Sequence, residues 1–184
     1  MESSSPVEPT VSPRLLGLPE VPLKKVTAET LGNLEVKHQD AVARLVRELE
    51  PQAHFVSYAP PAFIAFHNAA YLQLSMVTTL AVGAAGSRYK LAALAFDEHI
   101  AHLIRPALSY FPPDVRFDGI DFSTSVREAR GGDPLAVEFV FPMKAMRCFA
   151  AFDCTGQQLI NSGFVLINGE RADLQLQAAE NVSK

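Results

Sequence analysis

Six consecutive positions, Asp97-Glu98-His99-Ile100-Ala101-His102, hold the densest group of metal-ligand-type side chains in the sequence. If the segment is helical, Glu98 and His102 sit one turn apart, and His99 lies about 60° round the axis from His102. Glu98, His99 and His102 are therefore candidates to converge on one zinc or iron ion. The spacing departs from the zincin pattern, in which two histidines four apart bracket a glutamate, and from its inverted form. No second cluster completes a coordination shell, so His54, His67 or Cys154 would have to arrive by folding. The bland reading of the same residues is a solvated helix face with a Glu98–His102 pair worth roughly 0.3 kcal/mol.

Other reactive side chains are more scattered. Cys148 and Cys154 come without an export signal and read as reduced thiols in a cytoplasmic protein. Cys148 is expected in the core near Met146 and Phe152, and Cys154 in an exposed turn beside Asp153. A thiol nucleophile would need a histidine poised beside it, and spacing alone supplies none. Asp118, Asp121, Ser123 and Ser125 form a polar set, but no G-x-S-x-G elbow accompanies the serines. Gly83 and Gly86 lack the lysine of a phosphate loop and read as a turn. No motif assigns a cofactor. His38, on an apolar helix face, reads as a core-edge histidine.

The 16 basic and 20 acidic residues of the 184-residue chain give a net charge of -4 with no basic run, so nucleic-acid binding is not expected. From Ala53 to Ser87 there is no Lys, Arg, Asp or Glu. Polar residues and the pair Pro60-Pro61 interrupt that stretch, which reads as buried core rather than a membrane span. The sequence is 48% hydrophobic, enough for one full core.

Several elements would position these side chains. Residues 1–26, with prolines at 6, 9, 13, 19 and 22, read as a flexible tail whose apolar latter half could lie along a partner. A helix is expected from Asn33, as cap, to Glu50, with Leu34, His38, Ala41, Val42, Leu45, Val46 and Leu49 on one face. His54–Tyr58 has strand character, closed by Pro60-Pro61. Residues 62–82 fit either a hairpin turning at His67-Asn68 or a buried helix; alternation of Leu72, Leu74, Met76, Leu80 and Val82 favours the hairpin. Ser87 caps a long central helix whose stripe is Tyr89, Ala93, Phe96, Ile100, Leu103, Ile104, Ala107 and Phe111, with a kink or stop at Pro106.

After Pro113 the period changes to two. Strands are expected over Phe122–Arg127, Leu135–Phe141, the set Met146, Cys148, Ala150 and Phe152, then Leu159–Ile167 as one or two strands broken near Ser162-Gly163, and Arg171–Leu176, with Gly131-Gly132 and Asn168-Gly169 as turns. From Gln177 the chain reads as a disordered tail. The fold class is thus α+β: one domain over residues 27–176, an antiparallel sheet from the C-terminal half packed against the central helix and one N-terminal helix.

Function follows mainly from what is missing. With no complete catalytic set and a surplus of apolar strands whose edges need covering, the first expectation is a non-catalytic domain. It would bind a protein partner, a copy of itself or a small apolar ligand. The alternative is a metal-dependent hydrolase or oxygenase using Glu98, His99 and His102. A third reading is a structural or secretion-associated subunit that docks through its proline-rich segment.

Overall fold

A computed structural model describes residues 25–81 and 86–176. The expected tails, apart from Lys25 and Val26, and the turn residue Gly83 lie outside those residues. The fold is α+β, with a six-stranded mixed sheet in the order β1-β2-β3-β4-β5-β6.

Helix α1 spans Ala28–Leu49. It starts earlier than expected from Asn33, because Thr27 and Thr30 form a reciprocal capping box ahead of that position. Gly32 is therefore inside the helix, a tolerable cost of about 1 kcal/mol relative to alanine. Leu34, His38, Leu45 and Leu49 are buried. The His38 ring lies 5.9, 6.0 and 5.2 Å from those of Phe63, Phe111 and Phe117. Burial among them, then the charge of Lys37, lowers the His38 pKa.

The stretch left open between helix and hairpin is a hairpin, β1 (Val56–Phe66) and β2 (Ala69–Leu80). His67 and Asn68, both with positive φ (47° and 58°), make the tight turn whose twist matches the strands. Pro60-Pro61 does not close β1 as expected; the strand runs through both. It can do so because β1 is an edge strand, where a missing N–H deprives no neighbour. Its pairing with β2 is irregular between Ser57 and Ala62.

The central helix is continuous but not uniform: α2 (Arg88–Ala95), a π turn (Phe96–Ile100) and α3 (Ala101–Ser109). Ser87 caps it by accepting from Lys90 N–H. Pro106 does not stop the helix, which continues through it to Ser109. The irregularity in the hydrogen-bond ladder lies upstream, where Ala101 N–H reaches the Phe96 carbonyl five residues back. The apolar stripe is buried from Ala93 to Phe111, except that Tyr89, in the first turn, is 42% exposed.

This helix carries the chain across to β3 (Gly119–Glu128), so β2 and β3 pair in parallel and the sheet is not a simple meander. β4 (Leu135–Pro142) follows antiparallel after Gly131 and Gly132, both at positive φ. The next segment corrects the expected strand over Met146–Phe152: Met143–Ala150 is helix α4. Met143 and Met146, three apart, are its buried residues, a helical spacing that alternation at even positions had mimicked.

Cys148 and Cys154 are not the expected reduced thiols. They form a disulfide with a Cα separation of 5.4 Å, and so give no support to a reducing compartment. Leu159–Ile167 divides at Ser162-Gly163 into helix α5 (Gly156–Ser162), capped by Thr155 and Gln158, and strand β5 (Phe164–Ile167). After the Asn168-Gly169 turn, β6 is only Glu170–Arg171 rather than a strand to Leu176.

The helices share one face of the sheet. Phe96 meets Phe139, Phe141 and Phe149, with ring centroids 5.8–6.4 Å apart. Leu72, Leu74, Met76, Ile120, Phe122, Val137, Phe139 and Phe141 complete that core. The opposite face curls inward. Phe66 on β1 and Phe164 on β5 stand four strand spacings apart, about 19 Å in a flat sheet, yet their rings are 5.2 Å apart. Tyr71 packs over Gly119, where any Cβ would strike its ring and the Phe141 carbonyl. Asp121, inside this curl, is 0% exposed.

Among the described residues no helix is long and apolar enough to cross a membrane.

Candidate functional site

Glu98, His99 and His102 fall on and just after the π turn, a distortion that recurs at functional sites. Folding also delivers His54, from the loop between α1 and β1. Its ring stacks on His102 at 4.5 Å, with 14° between planes, and meets His99 edge-on at 5.3 Å. Parallel stacking aims the nitrogens of His54 and His102 alongside each other rather than at one point. Among the described residues no three His, Cys, Asp or Glu side chains are arranged to hold a metal ion. His67 is stacked on Phe66 at the hairpin turn, and Cys154 is in the disulfide, so neither joins the cluster.

The cluster is electrostatically tense all the same. Burial, with the charges of His54 and His102 adding to it, lowers the His99 pKa against an opposing effect of Glu98 and of a hydrogen bond to the Thr79 backbone. Nδ1 of both His54 and His99 is buried without a partner. Beside it lies a cleft of about 440 Å³ walled by Asp97, His102, Arg105, Phe149 and Phe152. Arg105 is committed to holding that wall: Nη2 donates to the Ala150 carbonyl at 2.7 Å and the guanidinium lies 4.1 Å over the Phe152 ring. Burial, then Glu98, raises the Asp97 pKa. Among the described residues that line this cleft, no nucleophile is paired with a base.

Of the polar set around β3, Asp118 accepts the Ala70 N–H at 2.8 Å and so staples β2 to the start of β3. Asp121 Oδ2 accepts from Gln73 Nε2 at 2.8 Å, while Oδ1 is buried without a partner. Ser123 and Ser125 are half-buried on the same strand. These residues shape the sheet and form no catalytic arrangement with a histidine.

A larger feature lies at the other side of the helix layer. Between α1 and the β1–β2 edge runs a groove of about 710 Å³. The hairpin lines it with Pro61, Phe63 and Leu72, and α1 with Val36, Val42, Ala43 and Val46 together with the polar Glu35, Gln39 and Arg47. On a helix turning 100° per residue, the α1 residues that line it occupy one arc of about 140° beside the core-facing stripe. Val36, on the outer side of this arc, is 78% exposed. The sequence did contain this signal, because α1 carries more valine than a single buried stripe uses. The core-facing helix pattern hides it, because that pattern includes Val42 and Val46 but not Val36.

Compared with known proteins, the chain matches no family model, no curated protein and no solved structure.

Proposed function

We propose that this is a non-catalytic binding domain whose α1–β1–β2 groove takes the apolar face of an amphipathic helix. The observation that carries the reading is the groove itself: its lining is apolar apart from Glu35, Gln39 and Arg47 of α1, and it includes a large exposed valine, Val36. Such a shape suits anchors spaced along one helix face. Its volume is within the range of about 300–1,000 Å³ usual for binding sites. The neighbouring strand edge is a poor alternative route, because Pro60 and Pro61 remove two donors from β1 and its pairing is irregular. Metal-assisted chemistry at Glu98, His99 and His102 has no three-ligand arrangement in its favour.

The groove is tested with an apolar fluorescent probe, 1-anilinonaphthalene-8-sulfonate, on the full chain. Binding is expected for the native protein and about tenfold weaker in Ala43→Trp, whose exposed position lets the indole fill the groove without entering the core. Probe binding unchanged by Ala43→Trp would remove the groove from consideration.

A further inference from the structure

Resting on that reading of the groove as a binding site, we infer that in the free protein it is covered by the chain's own residues 15–21. They lie in it as a polyproline II segment that a partner helix must displace. The placement follows from where the described chain begins. Val26 N–H donates to Asn68 Oδ1 at 2.9 Å, so the chain enters α1 beside the β1–β2 turn. From there α1 and the hairpin both lead toward the groove, whose α1 lining begins at Glu35 and whose hairpin lining includes the paired Phe63 and Leu72. Residues 1–24, outside the described residues, are thus tethered at the end from which the groove can be filled.

The sequence supplies a segment of the right period and reach. Pro13, Pro19 and Pro22 fix φ near −65° and remove donors, which favours polyproline II at three residues per turn. At that period Leu15, Leu18 and Val21 form one apolar edge, and the prolines with Leu16 form the next. Arg14, Gly17 and Glu20 lie on the third, polar edge. Going back from Lys25 to Val21 covers about 12 Å, and α1 also rises about 12 Å from Thr27 to Glu35. Going on to Leu15 covers about 19 Å, against about 15 Å between Val36 and Val46. The three anchors therefore match the length of the apolar lining. Pro19-Glu20-Val21-Pro22 also has the spacing with which such segments dock in grooves that present an aromatic side chain, here Phe63.

Two measurements on the full chain test this. Gly17→Cys adds the one free thiol beside the Cys148–Cys154 disulfide and takes a nitroxide label on the polar edge. The label is expected to broaden the amide signals of Val36, Ala43 and Phe63. A groove covered about 80% of the time binds a competitor about fivefold more weakly than an open one. Leu15→Ser/Leu18→Ser/Val21→Ser, all outside the core and the α1 cap, is therefore expected to abolish the broadening. It should also tighten 1-anilinonaphthalene-8-sulfonate binding about fivefold, still blocked by Ala43→Trp, while Glu20→Ser changes neither readout. Groove amides indifferent to the label overturn the segment as occupant and leave the groove standing. So does equal probe affinity in the native chain and the triple variant while Ala43→Trp still blocks it. Broadening passed from labelled chains to separate nitrogen-15 chains makes a second copy the source and overturns the contact within one chain. Probe binding indifferent to Ala43→Trp overturns the groove and this inference together.

Discussion

Asp121 offers a stringent check of the sheet's curl. Its carboxyl is fully buried on the face away from the helices, keeps one hydrogen bond from Gln73, and has an oxygen with no partner. Burial raises its pKa from the ordinary 3.8 to about 7, with the hydrogen bond from Gln73 opposing and Glu138 adding to the rise. The neutral form is thus the one the fold accepts. Below about pH 4 both folded and unfolded chains carry the proton and Asp121 is neutral in the balance. Between about pH 4 and 7 the unfolded chain alone gives it up, so stability falls as pH rises; above about pH 7 the whole penalty is present. A rise of about three pH units corresponds to about 4 kcal/mol. Asp121→Asn keeps the shape of the protonated acid and cannot ionise.

The measurement is urea unfolding of both proteins followed by circular dichroism, from pH 4 to 8. Native stability minus variant stability should drop by about 4 kcal/mol across that span and then level off. His38 and His99 also respond to acid, with the opposite sign, but they are present in both proteins and cancel in the difference. Glu138, whose pKa burial also raises, leaves a smaller slope of the same sign as Asp121 in the variant. A difference that is flat, or that rises with pH, would mean the Asp121 carboxyl is hydrated and the sheet is not closed around it.

Two further outcomes are expected. Reducing the Cys148–Cys154 disulfide frees a short loop and should cost about 2 kcal/mol of stability on the chain-entropy estimate; two titratable thiols in the native protein, with melting indifferent to reductant, would contradict the crosslink. At the π turn, His99 has a lowered pKa, so its contribution is fully present above the ordinary histidine value and is lost as pH falls below about 6.5, where the unfolded chain takes up the proton first. His99→Asn should therefore have a shallower loss of stability between pH 7.5 and 5.5 than the native chain, and parallel curves would deny the histidine cluster its burial.

The elements most legible in the sequence are those in which local and global demands agree. The even-numbered leucines of β2 alternate because one side of that strand meets helices, and the His67-Asn68 and Asn168-Gly169 turns carry residues that tolerate positive φ. The central helix is readable for the same reason, down to the stripe from Phe96 to Phe111. Misreadings cluster where a short segment satisfies two periods at once. Met146, Cys148 and Ala150 alternate like a strand, but Met143 and Met146 also match a helical turn, and a crosslink to Cys154 favours the compact form. Pro60-Pro61 stops a central strand but not an edge strand, and edge position depends on the sheet order, which no local window contains.

The site was legible in part for a related reason. Spacing brought Glu98, His99 and His102 into one region, but coordination depends on where nitrogens point, and the stack of His54 on His102 is set by the loop after α1. The groove was harder still, because it is a property of two faces. Val36, Val42 and Val46 belong to one helix and Phe63 and Leu72 to a hairpin, and only the exposure left between them marks the surface. A buried valine and a docking valine have the same side chain and the same helical period. What distinguishes them is the arc: a single buried face occupies about 100° of a helix, and the apolar positions of α1 extend well beyond that, which implies a second surface seeking cover.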